Sequence, residues 1–277
     1  MSKTLITKIK RSIAFISDLH IGSRYAICPD KFKTSEGVWL IPSHGQATLN
    51  DGFKAFIKKC NEMKVDTVVV NGDTLDGQNI AENGMGLSTS NLDEQVDMAI
   101  EVLRPILKGK KLLMLSGSGY HKSVRGMNPE KAVCDDLGQY CQSSTWLGPV
   151  ANIRFSPSKK VFNIHHGYTG SVIYREMVLA REGLFTKWAE GSGKLPRIDV
   201  VVRGHLHNFI YIHENDLHLL QLPCWKAFEP SKITLKLYAK MQPDIGGCIV
   251  LIDNNDRMVV HHYLYSCPAI VGEVREE

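Results

Sequence analysis

The chain has no C-x-x-C pair. Its seven cysteines are scattered and odd in number, which fits reduced thiols in a cytoplasmic protein better than a disulfide framework. No run approaches the roughly 18 consecutive apolar residues of a membrane span. The opening M-S-K-T-L-I-T-K-I-K-R-S-I-A-F-I has basic residues but too short an apolar run for a signal peptide. Net charge is only +4, which does not by itself imply nucleic acid. Repeats, low-complexity tracts and long linkers are also missing. What remains is a chain of 277 residues, 43% hydrophobic and 22% charged. That suits one sizeable domain with a full core, or two small ones.

The most informative stretch is Ile198 to His207, I-D-V-V-V-R-G-H-L-H. A β-branched apolar run reads as a buried strand, and it stops at Gly204, His205 and His207. Two imidazoles at i and i+2 point the same way if the chain stays extended. They make half a metal site.

The other half is sought at the remaining strand ends. Ser12 to Ser17 reads as a strand delivering Asp18 and His20. Gly22 to Gly45 reads as a long loop, a type that is often functional. Thr48 to Met63 has helical spacing, with Leu49, Phe53, Phe56 and Ile57 on one face. A second strand, Val65 to Val70, delivers Gly72 and Asp73, with Asp76 close behind. Ile80 to Ser90 is glycine-rich and reads as a loop. Leu92 to Leu107 reads as a helix disturbed near Pro105. Lys111 to Leu115 is a third strand, ending in Ser116-Gly117-Ser118-Gly119-Tyr120-His121, and Pro129 to Leu137 is a short helix. Val150 to Phe155 and Lys160 to Ile164 read as a hairpin that ends in His165-His166-Gly167. Ser171 to Glu190 is mostly helical. Later hairpins turn at Glu214-Asn215-Asp216 and at Asn254-Asn255. Early alternation and late hairpins give an α/β fold with two mixed sheets, and its polar groups gather past the strand ends.

Carboxylate plus imidazole with no thiolate suits Mn²⁺, Fe²⁺/³⁺, Zn²⁺ or Ni²⁺. There are donors enough for two cations if one carboxylate bridges. Two cations about 3.5–4 Å apart can hold a phosphoryl oxygen and generate hydroxide for in-line attack.

Asp18-Leu19-His20, Gly72-Asp73, Gly117…His121, His165-His166-Gly167 and Gly204-His205-Leu206-His207 resemble, in order, the five blocks of the calcineurin-like metallophosphoesterases. The detail is similar to the subset found in phage and prophage genomes. There the first block continues as Ile21-Gly22-Ser23 does here, with Cys28-Pro29 further on. The resemblance implies one domain over residues 1–277, a β-sandwich of two mixed sheets flanked by helices (αββα). It implies one metal on Asp18, His20, Asp73 and His207, and a second that shares Asp73 and adds His165 and His205. Of the histidine pair, His165 fits the family's pattern better and His166 is the fallback. His121 would assist the leaving oxygen. The cofactor expected is a pair of divalent cations, Mn²⁺ first, with Fe, Zn and Ni as alternatives. The activity expected is hydrolysis of a phosphodiester, in nucleic acid or a nucleotide, in the cytoplasm (the host's, if the chain is phage-encoded) and away from membranes. The rivals are a phosphomonoesterase or protein phosphatase, and a non-catalytic binding module of the same fold. The third block departs from the usual Gly-Asn-His, and Ser118 is the candidate for the place of the missing Asn.

Blander readings stand beside these. One Asp or His at a strand end is more often a cap than a ligand; five such ends in order are not so easily dismissed. Asp76 orients a ligand histidine or is a plain turn residue. His44, His213, His218, His261 and His262 read as surface or core. The clusters Lys58-Lys59, Lys108 to Lys111 and Lys159-Lys160 read first as solvated faces, then as a phosphate track. Trp39, Tyr25, Tyr120, Tyr168 and Trp225 could include a base-stacking platform, although most aromatics are core.

Overall fold

Strand alternation decides the layering. In the computed structural model, which describes residues 8–80, 83–119, 128–167, 175–230 and 242–267, the first strand runs Ile9–Ile16 (β1). Successive side chains of a strand face opposite ways. Ile13 and Phe15 accordingly enter one core, Ala14 and Ile16 another. After β1 come β2 (Phe32–Lys33), β3 (Trp39–Leu40), α1 (His44–Glu62), β4 (Thr67–Asn71), α2 (Leu92–Leu107), β5 (Lys111–Leu115), α3 (Pro129–Leu137) and β6 (Ser143–Trp146). Then follow β7 (Val150–Arg154), β8 (Val161–His165), α4 (Arg175–Gly191), β9 (Val200–Arg203), β10 (Ile210–Glu214), β11 (Leu217–Gln221), β12 (Ile245–Asp253) and β13 (Met258–Tyr265).

One sheet has the order β13-β12-β1-β4-β5-β6, the other β10-β11-β9-β8-β7. Both are mixed. In the first, β1, β4, β5 and β6 are parallel, and β12 and β13 are antiparallel. In the second, β8, β9 and β11 are parallel, flanked by antiparallel β7 and β10. The sheets meet face to face through Ile13, Phe15, Val69, Phe162, Val202 and Val250. Phe15 and Phe162 stack across this layer at 6.0 Å between ring centroids. The outer face of the first sheet is covered by α1, α2 and α3 through Leu49, Phe56, Leu103 and Val133. The outer face of the second is covered by α4, where Leu179 meets Val201 and Leu219. The αββα order expected from the sequence is present.

Local signals explain the helix ends. Ser43 and Gln46 form a capping box that starts α1, satisfying two of the first turn's orphan N–H groups. Asn91 and Asn128 cap α2 and α3. Pro105 lies inside α2 without ending it there. Ile106 and Leu107 are fully buried, and their burial keeps the last turn helical despite the lost hydrogen bond. Two elements were not expected. The Gly22–Gly45 loop contains the β2–β3 hairpin, and β6 extends the first sheet. Its sequence S-S-T-W has polar residues on an edge strand, so it carries little apolar pattern. No helix among the described residues is long and apolar enough to cross a membrane.

Candidate metal centre

Parallel strands end on the same edge, and here the ladder continues past them. The Asp18 N–H donates to Gly72 O at 3.1 Å, and the His20 N–H to Asp73 O at 2.9 Å. The Gly204 N–H donates to His166 O at 2.8 Å, and Asn71 Nδ2 crosses between the sheets to His165 O at 3.3 Å. The loops after β1, β4, β8 and β9 thus converge at one end of the sandwich. Asp18, His20, Asp73, His205 and His207 all have positive φ, between 46° and 74°. For residues other than glycine each such conformation costs about 1–3 kcal/mol. Strain concentrated on these residues marks a place where side-chain direction outweighs backbone comfort.

Two glycines make room for the approach. Gly72 has φ +78°, and a Cβ there would come within 2.6 Å of Gly117 Cα. A Cβ on Gly117 would meet the Asp73 carboxylate. The buried Glu130 of α3 staples the same two loops, accepting from the Thr74 and Gly117 N–H groups at 2.8 Å each. Burial pushes its carboxyl up, and Asp73 beside it adds to the shift.

The side chains form two groups. Asp18, His20 and His207 each offer a ligand atom within 4.8 Å of the others, and so do Asp73, His166 and His205. The groups adjoin. Asp18 Oδ1 lies 3.2 Å from His207 Nε2, 3.9 Å from His20 Nε2 and 3.6 Å from His166 Nε2. Asp18 also accepts from the His205 N–H at 3.0 Å. Asp73 Oδ1 accepts from the Ser118 N–H at 2.6 Å, and the Ser118 hydroxyl donates to Oδ2 at 3.3 Å. Ser118 therefore holds Asp73 in place.

His166, not the expected His165, joins the second group. The reason is strand parity. In β8, Phe162 and Ile164 face the inter-sheet core, so His166 follows them to the site edge. His165 shares the parity of Val161, which faces α4. Its Nε2 lies 3.6 Å from Glu182 Oε2. Glu182 also accepts from Arg203 Nε at 3.1 Å. Hydrogen bonding to His165 and the Arg203 charge hold Glu182 down at about 2 against burial. Burial keeps His165 itself below its ordinary value. The alternation V-F-N-I-H-H carries this signal, and the family pattern overrode it. His121 lies outside the described residues.

The ring nitrogens show which lone pairs are free. His20 Nδ1 is 3.0 Å from Asp76 Oδ1, which makes Nδ1 the protonated nitrogen and Nε2 the lone-pair donor. Its Nε2 faces His207 Nε2 at 3.1 Å. His166 Nδ1 is 2.8 Å from the Asn71 carbonyl oxygen. Its buried Nε2 lies 2.9 Å from Asp73 Oδ2, yet out of line for a hydrogen bond, and has no other partner. A buried nitrogen set this way is aimed at a cation. Both groups fit a divalent ion by donor type as well. Asp76, one of two readings from the sequence, is in contact with His20. Lys226, which sequence reasoning missed, donates to Asp76 Oδ1 at 3.0 Å and pairs with Glu229 at 2.6 Å. A lone Lys in a C-W-K-A stretch gives no pattern to find it by.

Without a cation, protons balance the charge. Burial disfavours a charged His166, but Asp18 and Asp73 prevail and push it up to about 10. Burial would raise Asp18, but the charges of His166 and His207 hold it well below the usual carboxylate range. These are the opposing effects expected of desolvation and nearby charge.

No protein-family model matches the chain, and no curated protein does. Solved structures do show likeness. The zinc complex of Vps29 from Entamoeba histolytica is 14% identical with a TM-score of 0.46, covering 91% of this chain and 92% of that one. An archaeal phosphodiesterase is 12% identical with a TM-score of 0.44, covering 91% and 99%. A dimetal phosphatase from Danio rerio is 11% identical with a TM-score of 0.44, covering 94% and 100%. Likeness at this level transfers no residue and no reaction, so the chemistry rests on this chain's own side chains.

Three outcomes are expected. His166→Ala should lose one of two bound Mn²⁺ equivalents by elemental analysis, whereas His165→Ala should keep both; the reverse result would restore His165 as the ligand. At pH 7 the His166 proton must leave before Nε2 can bind a cation. Affinity for Mn²⁺ should therefore rise with pH towards about 10, and calorimetry in buffers of different ionisation enthalpy should show proton release. Heats independent of buffer would contradict this. Asp76→Asn removes the acceptor that orients His20, and should weaken metal binding about 10–100-fold with the melting transition still cooperative. Unchanged affinity would make Asp76 a plain turn residue.

Proposed function

We propose that this chain is a metal-dependent phosphoesterase acting on a phosphodiester, in nucleic acid or a nucleotide. The observation that carries the reading is the pair of adjoining carboxylate–imidazole groups, with His20 and His166 turned so that Nε2 is the free donor. In this reading Asp18, His20 and His207 hold one cation, and Asp73, His166 and His205 the other. Bound there, two divalent cations supply Lewis acidity to a phosphoryl oxygen and to water. The metal identity proposed is Mn²⁺, on the donor set and the resemblance of the five sequence blocks.

The chain's own groups do the remaining work. Asp76 fixes the tautomer of His20, and Ser118 and Glu130 fix the Asp73 loop. The buried floor of Leu19, Ile21 and Leu75 keeps bulk water from beneath the site. His121, at the end of the third block, carries the proton that the departing oxygen needs. A diester is favoured over a monoester because the third block lacks the Asn of the usual pattern, which leaves that side of the site less polar. Ser118 is already committed to Asp73.

Turnover of bis-p-nitrophenyl phosphate and p-nitrophenyl phosphate by the Mn²⁺-reconstituted protein tests this. The diester should be hydrolysed faster, and chelation should abolish activity that added Mn²⁺ restores. Faster hydrolysis of the monoester would make the chain a phosphomonoesterase. Absence of metal-restored turnover on either would make it a binding module.

A further inference from the structure

The strap between Ile21 and Ser43 does more than lead away from the site. Its two short strands pair Phe32 with Leu40 and Lys33 with Trp39. Alternation turns Phe32 into the core, with Leu40 packed against it. The other face, carrying Lys31, Lys33, Trp39 and Ile41, is turned to solvent. Trp39 is 50% exposed and Ile41 73%. Lys31 Nζ sits 4.0 Å from the Trp39 ring centroid, and Lys33 Nζ 5.6 Å. Among the described residues neither lysine forms an ion pair. The neighbouring acids are engaged elsewhere: Asp30 with Lys54 at 2.9 Å, and Glu94 with Ser35 and Thr89.

An exposed indole gains only about 0.5–1 kcal/mol from a cation on its face. That does not account for leaving an indole, Val38 and Ile41 in water together. The arrangement does have the two parts that single-stranded nucleic acid needs. A ring steadied by lysine stems offers area for a base, and stacking is worth about 1–3 kcal/mol per base. Unpaired ammonium groups at the ring offer charge for phosphates. We propose that the outer face of the β2–β3 hairpin docks single-stranded nucleic acid, with a base on Trp39 and backbone phosphates on Lys31 and Lys33. A single strand is favoured over a duplex because only an unpaired base presents a free face. It is favoured over a membrane because the ammonium groups sit on the ring itself, where they would have to enter the apolar layer with it.

The proposal deepens the nucleic-acid reading above, and its test needs no turnover. Fluorescence anisotropy of a labelled oligothymidylate of about twelve nucleotides is measured with the full-length, chelated protein. Trp39→Ala should weaken binding about five- to a hundredfold, and Trp39→Phe should recover most of the loss. The double variant Lys31→Ala, Lys33→Ala should lower the slope of log affinity against log salt by roughly one. Binding that Trp39→Ala leaves unchanged would overturn the proposal, as would no binding by the parent. Trp39-dependent binding to phosphatidylserine vesicles without oligonucleotide binding would also overturn it, in favour of a membrane surface. A protein that binds the oligonucleotide through Trp39 but hydrolyses no diester would support the surface and refute the reaction.

Discussion

Two carboxylates buried at the edge of a sandwich require positive charge, and the rest of the site follows from that requirement. Asp18 and Asp73 are almost wholly removed from water, and both lie against His166 Nε2. An uncompensated buried carboxylate costs several kcal/mol. Protons on histidine supply the compensation in the free protein, and a divalent cation supplies it more fully. The linkage has a definite sign. The lowered Asp18 carboxyl contributes stability above its ordinary range, and that contribution is lost as pH falls. The raised His166 contributes below its ordinary value, and that contribution is lost as pH rises towards about 10. In the metal-free protein these two groups stabilise the fold together between acid and alkaline limits. The left-handed conformations of the donor residues draw on this stability.

Much of the fold was legible because the apolar pattern has the strand period and stops abruptly. Each run that ended in Asp, Gly or His became a strand pointing at the site, and the three late hairpins turned where Asn and Asp predicted. The misses share a physical cause. β6 lies at a sheet edge and carries polar residues, so burial leaves no mark on its sequence. The β2–β3 hairpin is too short for a period to show. The choice between His165 and His166 was decidable from alternation alone, since the buried Phe162 and Ile164 set the parity. Glu130, Lys226, Glu182 and Arg203 were not decidable, because their partners are distant in sequence and no local pattern distinguishes a buried charge from a solvated one.

Those unforeseen charges divide the labour around the site. Glu130 faces backbone N–H groups and fixes loops. Lys226 faces Asp76 and keeps a negative charge behind His20. Arg203 donates to Asn163 and to the Val202 carbonyl oxygen as well as to Glu182. It thereby ties β8 to β9 and to α4 just below the histidines they carry. Breaking one partner of such a buried pair is costly, about 3–5 kcal/mol. These contacts therefore hold the donors more firmly than their exposed counterparts could.

The same contacts fix the strap that leaves the site. The Trp225 N–H donates to Asp18 O at 3.0 Å, and the Ile27 N–H to Trp225 O at 3.2 Å. Ala26 bridges to Lys226, the residue that supports Asp76. On the other side, Gln46 Nε2 donates to Ser23 O and Ala26 O at 3.2 Å each. The Cys28 N–H donates to Asn50 Oδ1 at 3.1 Å. From Ser23 to Cys28 the strap is therefore bound by backbone hydrogen bonds on both flanks, one flank reaching Asp18 and the other helix α1. Trp39 is thus carried on an anchored segment and not on a free loop. A ligand held on its ring stands in a defined relation to the carboxylate at which the two donor groups meet.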